Sequence, residues 1–195
     1  MSAVKTRERL IDVARQLFNK KGMEKTTMND IASASDKGRR TIYTYFKNKR
    51  EIYNAVIERE SELLVGALRE IAQSPLSPVD KLEQFLGKRF EIIRDTVNSY
   101  ARLRSIISFD SKRMQRVQHL AAVKINEMLN QMLAQGVNDG VFDPVQVRRM
   151  NSMLQATIMG VDACYIQGLQ NVGCVDTEQF EGDIIQFITT AITTR

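Results

Sequence analysis

Apolar positions recur at helical spacing through almost the whole chain, and the places where the recurrence breaks mark the elements. Thr6 can cap a first helix whose inward face is Leu10, Ile11, Ala14, Leu17 and Phe18. Lys20 and Lys21 stand in its last turn, where cations suit the helix dipole, and Gly22 supplies the stop. Thr27 opens a second helix with Asp30 three residues on, the spacing of a capping box, and Ile31, Ala32 and Ala34 give it a small-residue face. Ser35-Asp36-Lys37-Gly38 then interrupts the pattern with turn formers. A third helix is expected from about Gly38 to Thr44, with Ile42 and Phe46 inward. The fourth starts near Asn48 and continues through Ile52, Tyr53, Val56, Leu63, Leu64, Ala67, Leu68 and Ile71. About 25 residues of helix extend roughly 37 Å, enough to link a head to a body as a lever or as a static connector.

Ser74-Pro75-Leu76-Ser77-Pro78 is the clearest linker. Ser77 as N-cap, Pro78 at the first helical position and Asp80 at the third start a fifth helix, whose stripe is Leu82, Phe85, Leu86, Phe90, Ile93 and Val97. A shorter apolar stretch covers Tyr100 to Ile107. Another long helix carries Met114, Val117, Leu120, Ile125, Met128, Leu129, Met132 and Leu133, and is expected to stop at Gly136 and the Asn138-Asp139-Gly140 turn. Asp143-Pro144-Val145-Gln146 begins a helix running through Met150, Met153, Leu154, Ile158, Val161, Tyr165 and Leu169, and a last one follows Asp176. The expected fold is all-α, with about nine helices and no strand. A helix-turn-helix head occupies residues 1–47 and a helical-bundle body residues 48–195.

Charge sharpens this division. The net +5 conceals a head, residues 1–50, with 13 Lys/Arg against 5 Asp/Glu, and a remainder with 15 against 18. A basic head on a mildly acidic body points the head at a polyanion. Cys164 and Cys174 form no CxxC and read as free thiols of an intracellular protein. MSAVKTRERL holds no apolar signal core, and no apolar run approaches the ~20 residues of a membrane helix, so a cytoplasmic location is expected and no membrane partner. His119 is the sole histidine and Arg116 stands where a Glu-x-x-His motif needs its carboxylate. Nucleophile elbows, phosphate loops and dinucleotide fingerprints are absent. Neither a metal, a cofactor nor an enzyme activity is expected.

The outward side of the third helix carries the chemistry. In a helix-turn-helix the N-terminal residues of the second helix meet base edges in the major groove. Arg39 and Arg40 can donate paired bonds to guanine or clamp phosphate, and Thr41 can touch a thymine methyl or donate to a base or phosphate. Tyr43, Tyr45, Lys47 and Lys49 suit backbone phosphates, which set register. The run Ile42-Tyr43-Thr44-Tyr45-Phe46-Lys47-Asn48-Lys49 resembles the L-Y-x-[HY]-F-x-x-K signature of the tetracycline-repressor (TetR) family of bacterial regulators, and TRERLIDVARQLFNKKG resembles that family's first helix. The resemblance covers about residues 6–57. It implies that Tyr43, Tyr45 and Lys49 touch phosphates and that Thr27 caps the second helix at the DNA backbone. The chain departs from the family at the turn, where Asp36, Lys37 and Gly38 replace Gly-Val-Ser. Asp36 can adopt the left-handed backbone, at some cost. Lys37 can cover the turn with its stem while its charge faces solvent or DNA, and Gly38 removes a side-chain phosphate donor.

For the body, Phe85, Phe90, Tyr100, Phe109, Met114, His119, Met128, Met132, Met153 and Tyr165 are candidates to line an effector cavity, against the alternative that they are ordinary core. The resemblance implies a homodimer built on the last two helices, Asp143–Gln170 and Asp176–Thr194. The candidate contact residues there are Met153, Ala156, Gly160, Cys164, Gly168, Ile184, Phe187 and Ile188. The resulting expectation is a homodimeric repressor that binds a palindromic double-stranded DNA operator and is released by a small-molecule effector. The alternatives are a body that only dimerises or binds protein without a ligand, and a helical enzyme with a regulatory head.

Overall fold

In the computed structural model, which describes residues 3–99, 112–167 and 176–194, these residues form eight helices. They are α1 (Ala3–Lys21), α2 (Met28–Ala34), α3 (Arg39–Tyr45), α4 (Lys49–Ala72), α5 (Pro78–Ser99), α6 (Lys112–Asn138), α7 (Pro144–Gln167) and α8 (Thr177–Ile192). Among the described residues there is no strand, only one bridge between Phe142 and Thr193. The architecture is all-α, as the periodicity requires. The stretch expected as a further helix, Tyr100 to Ile107, lies outside the described residues.

Local capping explains most of the helix starts. The Thr27 hydroxyl accepts from Asp30 N–H at 3.1 Å while the Asp30 carboxylate accepts from Thr27 N–H at 2.8 Å, a complete capping box for α2. Asn48 Oδ1 accepts from Glu51 N–H at 3.0 Å, and Ser77 Oγ from Asp80 N–H at 3.2 Å. Asp143 Oδ1 accepts from Val145 and Gln146 N–H groups at 2.7 and 2.9 Å. Asp176 caps α8 through Glu178 N–H. Each such cap stabilises its helix by about 1 kcal/mol. Helix α3 lacks such a cap: its N-cap is Gly38, which has no side chain to offer.

The described residues divide into two compact units. The first is built on the chain up to Glu62, and its core is Leu10, Ile11, Ala14 and Phe18 of α1, Ile31 and Ala32 of α2, Ile42 of α3, Phe46, and Ile52, Tyr53, Ala55 and Val56 of α4. It therefore extends beyond residue 47, because the first half of α4 supplies the apolar side chains that α1–α3 need to close their core. Ion pairs join the same faces of α1 and α4: Arg59 Nη1 lies 3.0 Å from Glu8 Oε2, and Arg15 pairs with Glu60.

The second unit, Leu63–Val97 and the chain from His119, gathers Val65, Leu68, Leu82, Phe85, Leu86, Phe90, Ile125, Leu129, Met132, Leu133, Phe142, Leu154, Ile158, Val161, Tyr165, Ile188 and Ile192 into one core. Gly136 does not end its helix. Helix α6 continues to Asn138, and the left-handed residue is Gly140, at φ 72°. Gly136 instead leaves room for the Phe142 ring, which packs where a Cβ would stand. Charged groups are also enclosed. Arg89 donates from both terminal nitrogens to Asp162, at 2.7 and 2.5 Å, tying α5 to α7. Glu181 of α8 accepts from Arg94 at 3.0 Å and from the Tyr165 hydroxyl. Burial, and then the Glu181 carboxylate, push the Tyr165 phenol well above its ordinary range.

Candidate nucleic-acid interface

The first unit presents α3 with one face in and one face out. Ile42 is fully buried and Phe46 closes the helix beneath it, so the residues on either side of Ile42 are turned outward by the 100° step of the helix. Arg39, Arg40, Tyr43 and Thr44 are exposed, and Thr41 is half-buried. The Arg39 guanidinium lies 5.8 Å from the centroid of the Tyr43 ring, one turn on, which holds the two side chains together on the outer face. Gly38 is exposed and nothing lies within 4 Å of where its Cβ would stand. Lys37 is half-buried, as is Tyr45, whose ring packs partly on the head core.

At the other edge, Thr27 is exposed on its capping box. Asp30 beneath it is held at about 2, well below the ordinary 3.8. The Lys21 ammonium, 2.7 Å away, is the first cause, and the two hydrogen bonds from Thr27 add to it. Lys47 is exposed, with its backbone N–H donating to Glu51 Oε2 at 2.7 Å. Lys49 is turned back into the unit: its Nζ donates to the Met23 carbonyl at 2.8 Å and the Glu24 carbonyl at 3.4 Å. The geometry thus gathers Gly38, Arg39, Arg40, Thr41 and Tyr43 on one short helix, flanked by Thr27, Lys37 and Lys47, and gives Lys49 a structural bond that spacing alone did not reveal.

The ten cavity candidates separate into three groups. Phe85, Phe90, Met132 and Tyr165 are buried in the core, and Met128 is half-buried against it. Met153 and His119 are exposed, which corrects their assignment to a cavity wall: each falls on the outer side of its helix. Tyr100 and Phe109 lie outside the described residues, as does the side chain of Met114. An open groove of about 1040 Å³ does occur, but at the start of α7 and the last turns of α8, lined by residues such as Asp143, Gln146, Asp183 and Thr190. None of the seven cavity candidates whose side chains are described lines it.

Along α7, Met153, Ala156 and Gly160 are exposed and Cys164 half-buried, one stripe of small and apolar residues; Gly168 lies outside the described residues. On α8, Phe187 is 63% exposed, whereas Ile188 is 3% exposed. Ile188 therefore belongs to its own chain's core and is removed from the candidate contact residues, because one helical step separates it from Phe187. Ile184 is half-buried against the same core.

Two sets of residues escaped the sequence reading. Arg89 occupies a core position of the α5 stripe, between Leu86 and Ile93, and an arginine at such a position signals a buried acid elsewhere. That acid, Asp162, follows Ile158 by one turn on α7. Arg9, on the outer side of α1, gave no periodic signal of its bonds to Ser35 and Asp36.

Residues 10–56 match the family model described as bacterial regulatory proteins, tetR family. The chain is similar to the "probable acrEF/envCD operon repressor" of Escherichia coli K12, 37% identical over 91 residues, which are 47% of this chain and 39% of that protein. The match thus spans well under half of that relative's length. It is also similar to the HTH-type transcriptional repressor KstR2 of Mycolicibacterium smegmatis, 27% identical over 143 residues, 71% of this chain and 68% of that one. A protein from Saccharomonospora viridis, solved in complex with choline, has the same fold, with a TM-score of 0.76 and 18% identity over 98% of this chain and 100% of that one. No helix among the described residues is long and apolar enough to cross a membrane. On its signature and its head, the chain matches the tetR family of bacterial regulatory proteins over residues 10–56, and its described residues share the fold of the solved Saccharomonospora viridis protein.

Proposed function

We propose that the chain is a transcriptional repressor that holds a two-fold symmetric operator as a homodimer and releases it when a small molecule binds the second unit. The observation that carries the reading is the outward face of α3, where Arg39, Arg40 and Tyr43 stand exposed above a buried Ile42. The names of the two relatives, both repressors, support it. In this reading Arg39, Arg40 and Thr41 enter the major groove, and Thr27, Lys37, Gly38, Tyr43, Tyr45 and Lys47 approach phosphates. Lys49 reaches phosphate only with the N–H that Met23 and Glu24 leave free.

Pairing of two chains supplies the second head, about 34–36 Å away on the next turn of duplex. The exposed Met153, Ala156, Gly160 and Phe187 support α7 and α8 as the paired surface. For release, the effector must bind the two states with different affinity. Helix α4 gives Ile52 and Val56 to one core and Val65 and Leu68 to the other, so a ligand that moves its second half acts on a segment shared with the head.

The experiment is an affinity series with Arg39→Ala, Arg40→Ala and Tyr43→Ala on duplex DNA enriched from a random library by the wild-type chain. A base-reading arginine is expected to lose roughly 10–100-fold, and a phosphate-contacting group to weaken all sequences alike. Unchanged affinity in all three variants would sink the assignment. A second reading, a body that pairs chains without any effector, is favoured by one observation: Phe85, Phe90, Met132 and Tyr165 are packed as core. A panel of small organic ligands, choline among them, that leaves both the melting temperature and DNA affinity unchanged would select it.

A further inference from the structure

The turn before α3 is closed by a Schellman arrangement: Asp36 N–H donates to the Ser33 carbonyl at 3.1 Å and Lys37 N–H to the Ala32 carbonyl at 2.9 Å. That arrangement places its central residue in the left-handed region, where glycine alone has no steric cost. Asp36 occupies it at φ 54°, the one non-glycine with positive φ among the described residues. Its carboxylate is exposed, three residues before Arg39, in the turn that leads into α3. A bare carboxylate there would oppose the phosphates that the neighbouring arginines attract.

Arg9 answers this from α1. Its Nη2 lies 3.0 Å from Asp36 Oδ2, and its Nε donates to the Ser35 carbonyl at 3.2 Å. One guanidinium therefore neutralises the acid and holds the backbone immediately before the left-handed residue. Both side chains are exposed, so their pairing adds little to folding stability, and its effect should be read in binding.

We propose that Arg9 is a positioning residue for DNA binding that acts through Asp36, masking its charge at the turn from which α3 starts. The inference rests on the DNA-binding reading above. It is tested with the full chain as wild type, Arg9→Ala, Asp36→Asn and the double variant. Affinity for the library-enriched duplex is measured across a salt series, together with melting temperature. Asn tolerates the left-handed region and carries no charge, so it removes only what Arg9 masks.

Arg9→Ala is expected to weaken binding roughly fivefold, the scale of one exposed charge pair. Asp36→Asn should stay within about twofold of wild type, and the double variant should return to that level with the wild-type salt slope. A double variant as weak as Arg9→Ala, with the slope reduced by about 1, would show that Arg9 touches phosphate itself and would overturn the proposal. So would an Arg9→Ala variant that binds like wild type, or one that loses affinity together with melting temperature and is not rescued. A wild-type chain that enriches no duplex removes the DNA-binding reading and this inference together. One that enriches a duplex without showing rescue removes only the role of Arg9.

Discussion

Replacing Gly136 by alanine tests the packing of the second unit at its tightest point. An ideal Cβ on Gly136 would stand 2.1 Å from Phe142 Cδ2, 2.4 Å from Cε2 and 3.0 Å from Cγ. Carbon atoms pack at about 3.5–4.0 Å, so the ring must move by more than an ångström. It has little freedom to do so. Phe142 is 1% exposed, and its own N–H donates to the Gly136 carbonyl at 3.0 Å, beside the Val141 N–H at 2.9 Å. The next residue, Asp143, donates to Ile192 at 2.8 Å and anchors the segment to the end of α8. Alanine would favour the helix itself by about 1 kcal/mol. Overpacking costs about 1–3 kcal/mol, and expelling the ring approaches the roughly 3–5 kcal/mol of a Phe→Ala change. The net expectation is a loss of about 1–3 kcal/mol. For a chain of this size that is a fall in melting temperature of roughly 3–10 °C, followed by circular dichroism and checked by urea titration. Adding Phe142→Leu should recover part of the loss by removing ring atoms. A Gly136→Ala chain that melts at or above the wild-type temperature would refute the close approach.

Three further outcomes follow from particular contacts. Asp30 titrates at about 2 in the folded chain against an ordinary 3.8, so its contribution is complete above about 4 and is lost as pH falls through 2. A carbon-13 NMR titration should show this, with the midpoint rising in Lys21→Ala; an unshifted midpoint in wild type would contradict the pairing. Asp162→Ala leaves the Arg89 guanidinium buried without its acid and should cost about 3–5 kcal/mol in chemical denaturation, whereas an apolar pair at both positions should cost much less. Equal losses would mean that shape rather than charge is what matters there. Phe187→Glu places a charge on the exposed apolar face of α8 and should convert a dimer to monomers in sedimentation velocity, without lowering the melting temperature of the isolated subunit. A dimer of unchanged affinity would move the paired surface elsewhere.

Much of the head and the helix order was legible because the deciding interactions are local. Thr27 with Asp30, Ser77 with Pro78 and Asp80, Asp143 with Pro144 and Asp176 with Glu178 all act within one helical turn, and each begins a helix where spacing places it. The left-handed Asp36 came instead from the family resemblance, in which glycine stands at that position, and the structure has it at φ 54°. The candidate DNA-facing residues also follow from one short helix: a buried Ile42 turns Arg40 and Tyr43 away from the core, and Arg39 is exposed at the first position of the helix.

The body resisted because apolar periodicity says which residues face inward and not what they meet. Phe187 and Ile188 are equally apolar, yet one is exposed and the other is core, and only the placement of α8 on its neighbours chooses between them. Met153 and Met132 differ in the same way. Gly136 reads as a stop until Phe142 is found against it. The bonds that organise the units connect positions far apart in the chain: Arg9 with Asp36, 27 residues on, Arg89 with Asp162 at 73 and Arg94 with Glu181 at 87. By itself the sequence determined the starts of α2, α5, α7 and α8, which helix carries the basic outer face, and the family that the head resembles; it misplaced the start of α1, which begins at Ala3 with Thr6 buried inside it. Tertiary structure alone decided which charges are enclosed in pairs, which apolar residues remain on the surface and which arginine secures the turn, because each depends on a partner that no local spacing can name.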